Sequence, residues 1–354
     1  MRRVQLTVWC AVSVIAAVGG CHREDVEDAP FYDRKIGIAD KFYDVQALSA
    51  TRAIVVGYGG KILQTEDGGR SWQLLSSGTR KALYGVDFVD DQHGWVCGQD
   101  GLVLRTEDGG KTWMRQDSGS KWYLFAVDFL DQKDGWLVGD RATYFHTTDG
   151  GQTWSRGKLG VISDMPKDEA LVAADPILYD VRFRDHDTGW IVGEFGKIFH
   201  TSDGGKTWGE QQNSLMGSGN VFNALDLPTF FGVDFIDDAN GLVTGLDGKV
   251  ARTRDGGQSW KFEEFDLTTP IIDPLFRPYQ FPDTTAWAVG AAGEVVRQSE
   301  PRKAWQRASL GMEIVTWLRG IDFFDKDNGW IVGGFGLILH TTDGGKTWLP
   351  SIGA

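Results

Sequence analysis

The sequence predicts an all-β protein, a single seven-bladed β-propeller of four-stranded antiparallel blades, and three observations predict it. One short string returns seven times, ending at Trp72, Trp113, Trp154, Trp208, Trp260, Trp305 and Trp348. The steps between these tryptophans are 41, 41, 54, 52, 45 and 43 residues, the period of a propeller blade and not of a helical solenoid. Composition agrees, since 47 glycines and 15 tryptophans call for many tight turns, each followed by a large apolar anchor.

The second copy shows the internal grammar most clearly. Leu83 to Asp90 (LYGVDFVD) is followed by Gly94 to Gly98 (GWVCG), Leu102 to Thr106 (LVLRT) and then TEDGGKTW. Alternating β-branched and aromatic runs separated by Asp/Gly turns read as strands A, B and C, with the Trp opening strand D. Strand A recurs from Phe42, Leu124, Leu178, Phe230, Leu275 and Leu318, so seven inner strands match seven tryptophans. A lone four-stranded sheet cannot bury both faces, whereas seven arranged radially can, with each repeated Trp expected to fill the space between blades. Because every copy supplies its own four strands, closure is expected from packing blade 7 on blade 1, with Phe31 to Asp40 as a candidate clasp strand.

The returning string resembles the Asp-box, or bacterial neuraminidase repeat. Six copies are clean, and the sixth in order, QSEPRKAW, is degraded. Its chemistry is that of a turn: the Asp accepts backbone N–H bonds, Gly supplies positive φ and Trp plugs the core. Asp67, Asp108, Asp149, Asp203, Asp255 and Asp343 are therefore read as structural. In sialidases the box lies on the opposite side of the propeller from the active site. Their Phe/Tyr-Arg-Ile-Pro string is absent here, Phe276-Arg277-Pro278 being only an echo. A carboxylate pair of the glycosidase kind stays open among 49 acidic residues, so a glycan-binding or glycosidase-like propeller is the alternative reading.

Other chemistry-bearing residues are read as architecture. His146, His200 and His340 fall at one repeat position, and no Ser or Cys sits in a nucleophile elbow. The A–B turns DHDTG from Asp185 and DKDNG from Asp325 lack the closing Glu of a calcium loop. Asp87, Asp128, Asp234 and Asp322 recur in strand A, where they are expected to bond neighbouring blades, the other reading being that they reach the channel and bind a cation or water there. No cofactor, metal or catalytic residue is assigned, and the protein is read as not an enzyme.

The N-terminal residues read as an export signal. Arg2 and Arg3 precede an apolar run from Val4 to Val18, too short to span a bilayer, which closes on Gly19-Gly20-Cys21. This resembles a bacterial lipobox and implies acylation at Cys21, with His22 rather than Asp pointing to the outer membrane. The expected organisation is a signal at 1–20, a tether at 21–41 and the propeller at 42–354. Only Cys97 then remains in the mature fold, so no intramolecular disulfide or cysteine cage is available. Removing Arg2 and Arg3 takes the formal net charge from −13 to −15, which disfavours nucleic acid as a partner.

The whole blade, with Gly135-Trp136-Leu137-Val138-Gly139, Gly189-Trp190-Ile191-Val192-Gly193 and Gly329-Trp330-Ile331-Val332-Gly333, resembles the photosystem II stability and assembly factor family. That resemblance, from about Phe42 to Gly353, implies a non-enzymatic propeller that binds a membrane-protein subunit during assembly. Photosynthetic members carry an arginine patch for partner binding, whereas this chain is acidic and its strand-A arginines, Arg182, Arg184, Arg277 and Arg319, are spread over three blades. The fold and scaffold role carry over, and the partner is expected to be a membrane protein or envelope complex subunit.

Function is then sought where repetition fails. Long D-to-A connections follow Trp154, Trp208 and Trp260, and they are rich in apolar residues: Met165 and Leu171, then Leu215, Met216 and Phe222, then Ile271 and Ile272. The B–C turns on the same face carry Tyr58, Phe195 and Phe335. These ten are the candidate partner-binding residues.

Overall fold

A computed structural model describes residues 36–159, 175–216 and 226–351. The described residues form seven four-stranded antiparallel sheets, in each of which the strands follow one another in chain order. Blade 1 comprises strand A (Phe42–Ala47), strand B (Ala53–Gly57), strand C (Ile62–Thr65) and strand D (Gln73–Leu75). The other inner strands are Leu83–Phe88, Leu124–Phe129, Leu178–Phe183, Phe230–Phe235, Leu275–Gln280 and Leu318–Phe323. The propeller read from the repeat is the fold of the chain.

Strand B is buried along its whole length in every blade, because neighbouring blades cover both of its faces. This explains both glycines of the Gly-Trp-x-Val-Gly pattern as sites of close approach. A Cβ at Gly94 would lie 2.6 Å from the Phe88 ring, and one at Gly98 would lie 2.1 Å from the carbonyl oxygen of Ala82. Between them Trp95 is fully buried, and its ring stacks on Phe129 of the next blade at 3.6 Å between centroids. Trp136 stacks on Phe183 and Trp190 on Phe235 in the same way, each at 3.5 Å.

The repeat tryptophans do a smaller share of this packing than their regularity implies. Trp72, Trp113, Trp154 and Trp208 are only half-buried, and Trp260, Trp305 and Trp348 are buried. The reason is position: these residues open strand D, the outermost strand, and meet the strand-A phenylalanine edge-on, as Trp113 meets Phe88 at 5.9 Å and 90°. Phe129, Phe183 and Phe235 are each held between a stacked strand-B Trp and a perpendicular repeat Trp. The core is a set of inter-blade seams, typified by Trp95, Cys97 and Val103 of blade 2 against Leu124, Val127 and Phe129 of blade 3.

Closure needs no shared strand. Trp330 and Val332 of blade 7 pack with Phe42, Val45 and Val55 of blade 1, and Trp72 meets Trp330 edge-on at 5.5 Å. The backbone N–H of Ala47 donates to Asp322 Oδ2 at 2.8 Å, and Ser351 Oγ donates to the Gly69 carbonyl at 3.1 Å. The expected clasp is not a strand in its described part: Ile36–Asp40 is irregular and turning, and only Lys41 bridges to Gly334 of blade 7.

The Asp-box closes its own turn. In blade 2, Asp108 Oδ1 accepts from Thr112 N at 2.9 Å and Oδ2 from Thr112 Oγ1 at 2.6 Å, while Thr106 Oγ1 donates to Asp108 and accepts from Gly110 N at 2.8 Å. The same bonds recur around Asp67, Asp149, Asp203, Asp255 and Asp343. In the degraded copy a longer-range group takes over: Glu263 Oε2 accepts from Gln298 Nε2 at 3.0 Å and Trp305 Nε1 at 3.2 Å. Thr106 is fully buried, so Thr106→Val leaves Gly110 N–H without an acceptor. The expected cost is about 1–3 kcal/mol, read as a lower urea midpoint.

Each in-register histidine packs on its strand-B tryptophan, His146 flat on Trp136 at 4.5 Å, His340 flat on Trp330 at 3.8 Å and His200 tilted by 33° on Trp190 at 5.0 Å. In the two calcium-loop-like turns the leading carboxylate is engaged by its own backbone, Asp185 by the N–H groups of Asp187 and Thr188, and Asp325 by those of Asp327 and Asn328.

Candidate functional site: an aromatic channel mouth

Every blade begins with the same irregularity. In blade 2 the register runs Leu83 to Gly98 and then Gly85 to Cys97, so Tyr84 has no partner on strand B. The equivalent bulged residues are Tyr43, Phe125, Tyr179, Phe231, Phe276 and Arg319. A bulge re-aims its side chain. Repeated seven times around an axis, it turns seven side chains into the channel, where they line a small chamber of about 30 Å³. Consecutive rings touch around the mouth: Tyr43–Tyr84 at 5.2 Å, Tyr84–Phe125 at 5.5 Å, Phe125–Tyr179 at 5.6 Å, Tyr179–Phe231 at 4.9 Å and Phe231–Phe276 at 5.4 Å. Burial pushes the Tyr84 and Tyr179 phenols up to about 12, so both stay neutral.

Arg319 breaks the aromatic series. Its guanidinium lies 5.1 Å from the Phe276 ring centre, and among the described residues it has no hydrogen-bonded or ion-paired carboxylate. Burial lowers its pKa from the ordinary arginine value. Beneath it, Arg277 Nη1 bonds Asp180 Oδ1 at 2.9 Å, and Arg182 Nη1 bonds Asp128 Oδ1 at 3.3 Å. The arginines that the linear sequence spreads over three blades therefore largely converge, because strand A of every blade meets at one axis. Arg184 is the exception and pairs outward with Asp238 at 3.2 Å.

Deeper in the channel is a polar cavity of about 160 Å³ lined by Gln46, Asp87, Asp128, Arg182, Asp234, Tyr279 and Asp322 among others. Its four carboxylates strap their blades to the next, and in blade 6 the Tyr279 hydroxyl does so by donating to the Phe323 carbonyl at 2.8 Å. Asp87 Oδ2 accepts from Phe129 N at 2.6 Å, Asp128 Oδ2 from Phe183 N at 2.6 Å and Asp234 Oδ2 from Gln280 N at 2.7 Å. Gln46 Oε1 serves blade 1 in the same way, accepting from Phe88 N at 2.6 Å. Where blade 4 has Arg182 in this position, Asp180 supplies the strap to Val233 N at 2.9 Å. Burial raises the pKa of Asp44, Asp87, Asp128 and Asp180 and lifts Asp322 to about 7. All four strand-A carboxylates bond the next blade, as the first of the two readings expects, and all four line the channel cavity.

The candidate residues on the mouth's own face divide sharply. Tyr58 and Phe335 project from their hairpins at 57% and 56% exposure, and Ile272 and Met216 are exposed at 79% and 38%. Phe195 is half-buried at the left-handed centre of its turn, φ 56°. Leu215 and Ile271 are not surface residues. Leu215 is fully buried in the seam holding Trp190 and Trp260, and Ile271 packs with Leu242 and Trp305 over Gly248. A connection that crosses a blade edge must bury part of its apolar content, and these two side chains are that part. Met165, Leu171, Phe222 and Cys21 lie outside the described residues. The mouth itself was missed by sequence reasoning, although its signal was present as an aromatic in second place of strand A in six copies of seven.

A family model described as photosynthesis system II assembly factor YCF48 matches residues 70–174, 160–228 and 217–316. The chain belongs to the Ycf48 photosystem II assembly factor family. Among named members, the photosystem II assembly lipoprotein Ycf48 of Synechococcus sp. (strain CC9902) is 25% identical over 38% of this chain and 41% of that protein. The chloroplastic photosystem II stability/assembly factor HCF136 of Cyanidioschyzon merolae is 42% identical over 20% of the chain and 15% of that protein. The matched stretches thus span less than half of these relatives' own length.

Solved structures agree on the fold. One titled YCF48 bound to D1 peptide has a TM-score of 0.65 at 17% identity, covering 87% of this chain and 95% of that one. YCF48 from Cyanidioschyzon merolae gives 0.65 at 19%, covering 87% and 98%. A xyloglucanase from Xanthomonas campestris gives 0.68 at 13%, covering 90% and 55%.

Proposed function

We propose that the protein is a non-catalytic, lipid-anchored scaffold of the bacterial envelope that holds a segment of a membrane protein in its channel mouth during assembly or stabilisation of a complex. The observation that carries this reading is the bulged ring from Tyr43 to Arg319: six flat aromatic walls and one unpaired guanidinium in a recess. Such a recess suits an apolar side chain together with a carboxylate or carbonyl oxygen, which are the groups a peptide segment offers. A relative solved with a D1 peptide supports a polypeptide as the occupant. Acylation at Cys21 after removal of residues 1–20, a tether over 21–41 and a site on the periplasmic side of the outer membrane complete the reading. Relatives named as lipoproteins support the anchor.

Catalysis is not part of it. The channel carboxylates that a glycosidase would need as free acid and base are bonded to neighbouring blades. The test is affinity capture from gently solubilised membranes. Arg319→Gln and Phe231→Ala are each expected to reduce recovery of a membrane-protein partner about tenfold or more, with unchanged circular dichroism. Deleting Met216 to Asn223 separates the mouth from the neighbouring long connection. Capture that survives both substitutions but not the deletion would move the site to that connection.

A further inference from the structure

The large apolar side chains that stay exposed are not spread evenly. Tyr58, Trp122, Tyr123, Ile272, Val315 and Phe335 all stand on B–C hairpins or D-to-A connections, the face that holds the channel mouth. Away from that face, the exposed large apolar side chains among the described residues are Phe324 in an A–B turn and Met114 and Leu349, the first residues of two outer D strands. The six come from blade 1, the 2–3 junction, the 5–6 junction, the 6–7 junction and blade 7, so they mark a rim and not one compact patch. A protein epitope gathers its anchors into a contiguous centre. A flat bilayer touches separate points of a rim at the same time.

We propose that this rim docks on the interface of a lipid bilayer, so that the channel mouth opens towards the membrane. Three observations favour lipid. Tyr and Trp are the residue types that settle at headgroup depth, and Trp122 carries the Arg141 guanidinium 4.4 Å above its ring, an apolar body with a cationic tip. The opposite face is crowded with acidic turns, led by Asp90, Asp131, Asp185, Asp237 and Asp325, and is repelled by anionic headgroups. Finally, the chain enters the propeller at this rim: Tyr58 N–H donates to the Lys41 carbonyl and Gly336 N–H to the Asp40 carbonyl, each at 2.8 Å. Fourteen residues lie between Cys21 and Ile36, a reach of at most about 55 Å. An anchor at Cys21 therefore pulls on the face that carries the rim. The inference rests on the membrane location in the proposed function and not on the identity of any peptide in the mouth.

The test uses the full chain isolated from membranes and reconstituted in phosphatidylcholine vesicles whose acyl chains carry bromine either near the headgroup or near the chain end. Shallow bromines are expected to quench tryptophan emission more than deep ones, and Trp122→Phe is expected to abolish that difference with unchanged far-ultraviolet dichroism and urea midpoint. Labelling of Cys21 with a palmitate analogue reads the anchor separately. Labelled protein without quenching overturns the docking and leaves the anchor standing, whereas quenching without label supports the docking and removes the anchor. If vesicles give no quenching but Tyr58→Ser and Ile272→Ser lose the captured partner, the rim is a protein interface and the inference fails.

Discussion

Replacing Trp95 by Ala is expected to destabilise the propeller by about 3–5 kcal/mol, more than the same change at any half-buried repeat tryptophan. Trp95 is fully buried, stacks on Phe129 at 3.6 Å, has the Arg105 guanidinium 5.6 Å from its ring, and donates Nε1–H to the Gly150 carbonyl at 3.0 Å. Those contacts come from strand A and the C–D turn of blade 3 and from strand C of blade 2, so the cavity cannot be closed by one side chain relaxing. Trp113, which the repeat makes more conspicuous, is half-buried, touches Phe88 by its edge and has no partner for its indole N–H among the described residues. Trp113→Ala is expected to cost about half as much or less, since only the buried part of its surface counts. Urea unfolding of the two variants decides between them. Equal losses would show that the repeat Trp, and not the strand-B Trp, cements the blades.

This contrast also shows how much was legible in the sequence. Blade number, strand order and the turn chemistry of Asp108 and Thr112 could be read because they are local and repeat at fixed spacing. What could not be read depends on the axis that the seven blades share. Arg182, Arg277 and Arg319 appear dispersed along the chain, yet the inner strands bring them into one channel. The aromatic mouth was hidden for a related reason: Tyr84 or Phe231 in an alternating strand reads as a facing residue, and the bulge that re-aims it leaves no mark of its own in the sequence. Leu215 and Ile271 were placed wrongly because an apolar residue in a long connection reads the same whether it reaches a partner or plugs its own seam. Phe195 and Phe335, by contrast, were placed by the hairpin spacing alone.

Burial of the channel carboxyls Asp44, Asp87, Asp128, Asp180 and Asp322 makes stability fall as pH rises, and Asp322 is expected to dominate at the closing seam. Asp322 sits in a buried ring beside Asp44, with Arg277 as the nearest compensating charge and Tyr279 on the adjoining strand, and burial lifts its pKa from 3.8 to about 7. An acid whose pKa is higher in the folded chain than in the unfolded one binds its proton more tightly when folded. Its contribution is full below about pH 4, declines through pH 7 and is gone above it. The Asp-box carboxylates run in the opposite sense. The Ser or Thr hydroxyl and N–H of their own turns hold Asp67, Asp203 and Asp343 at about 2, so their contribution is present above about pH 4 and lost towards pH 2. Stability is therefore expected to peak near pH 5 and to decline by pH 8. Asp322→Asn isolates the cause, because an amide oxygen still accepts the Ala47 N–H that joins blade 7 to blade 1, while the charge that the buried ring opposes is absent. At pH 8 the variant is expected to be more stable than the parent by about 1–3 kcal/mol, and at pH 5 the two should coincide. Calorimetric melting at both pH values measures the difference. A gain of the same size at pH 5 would mean that the substitution acts through packing, and that Asp322 is not the group whose ionisation strains the seam.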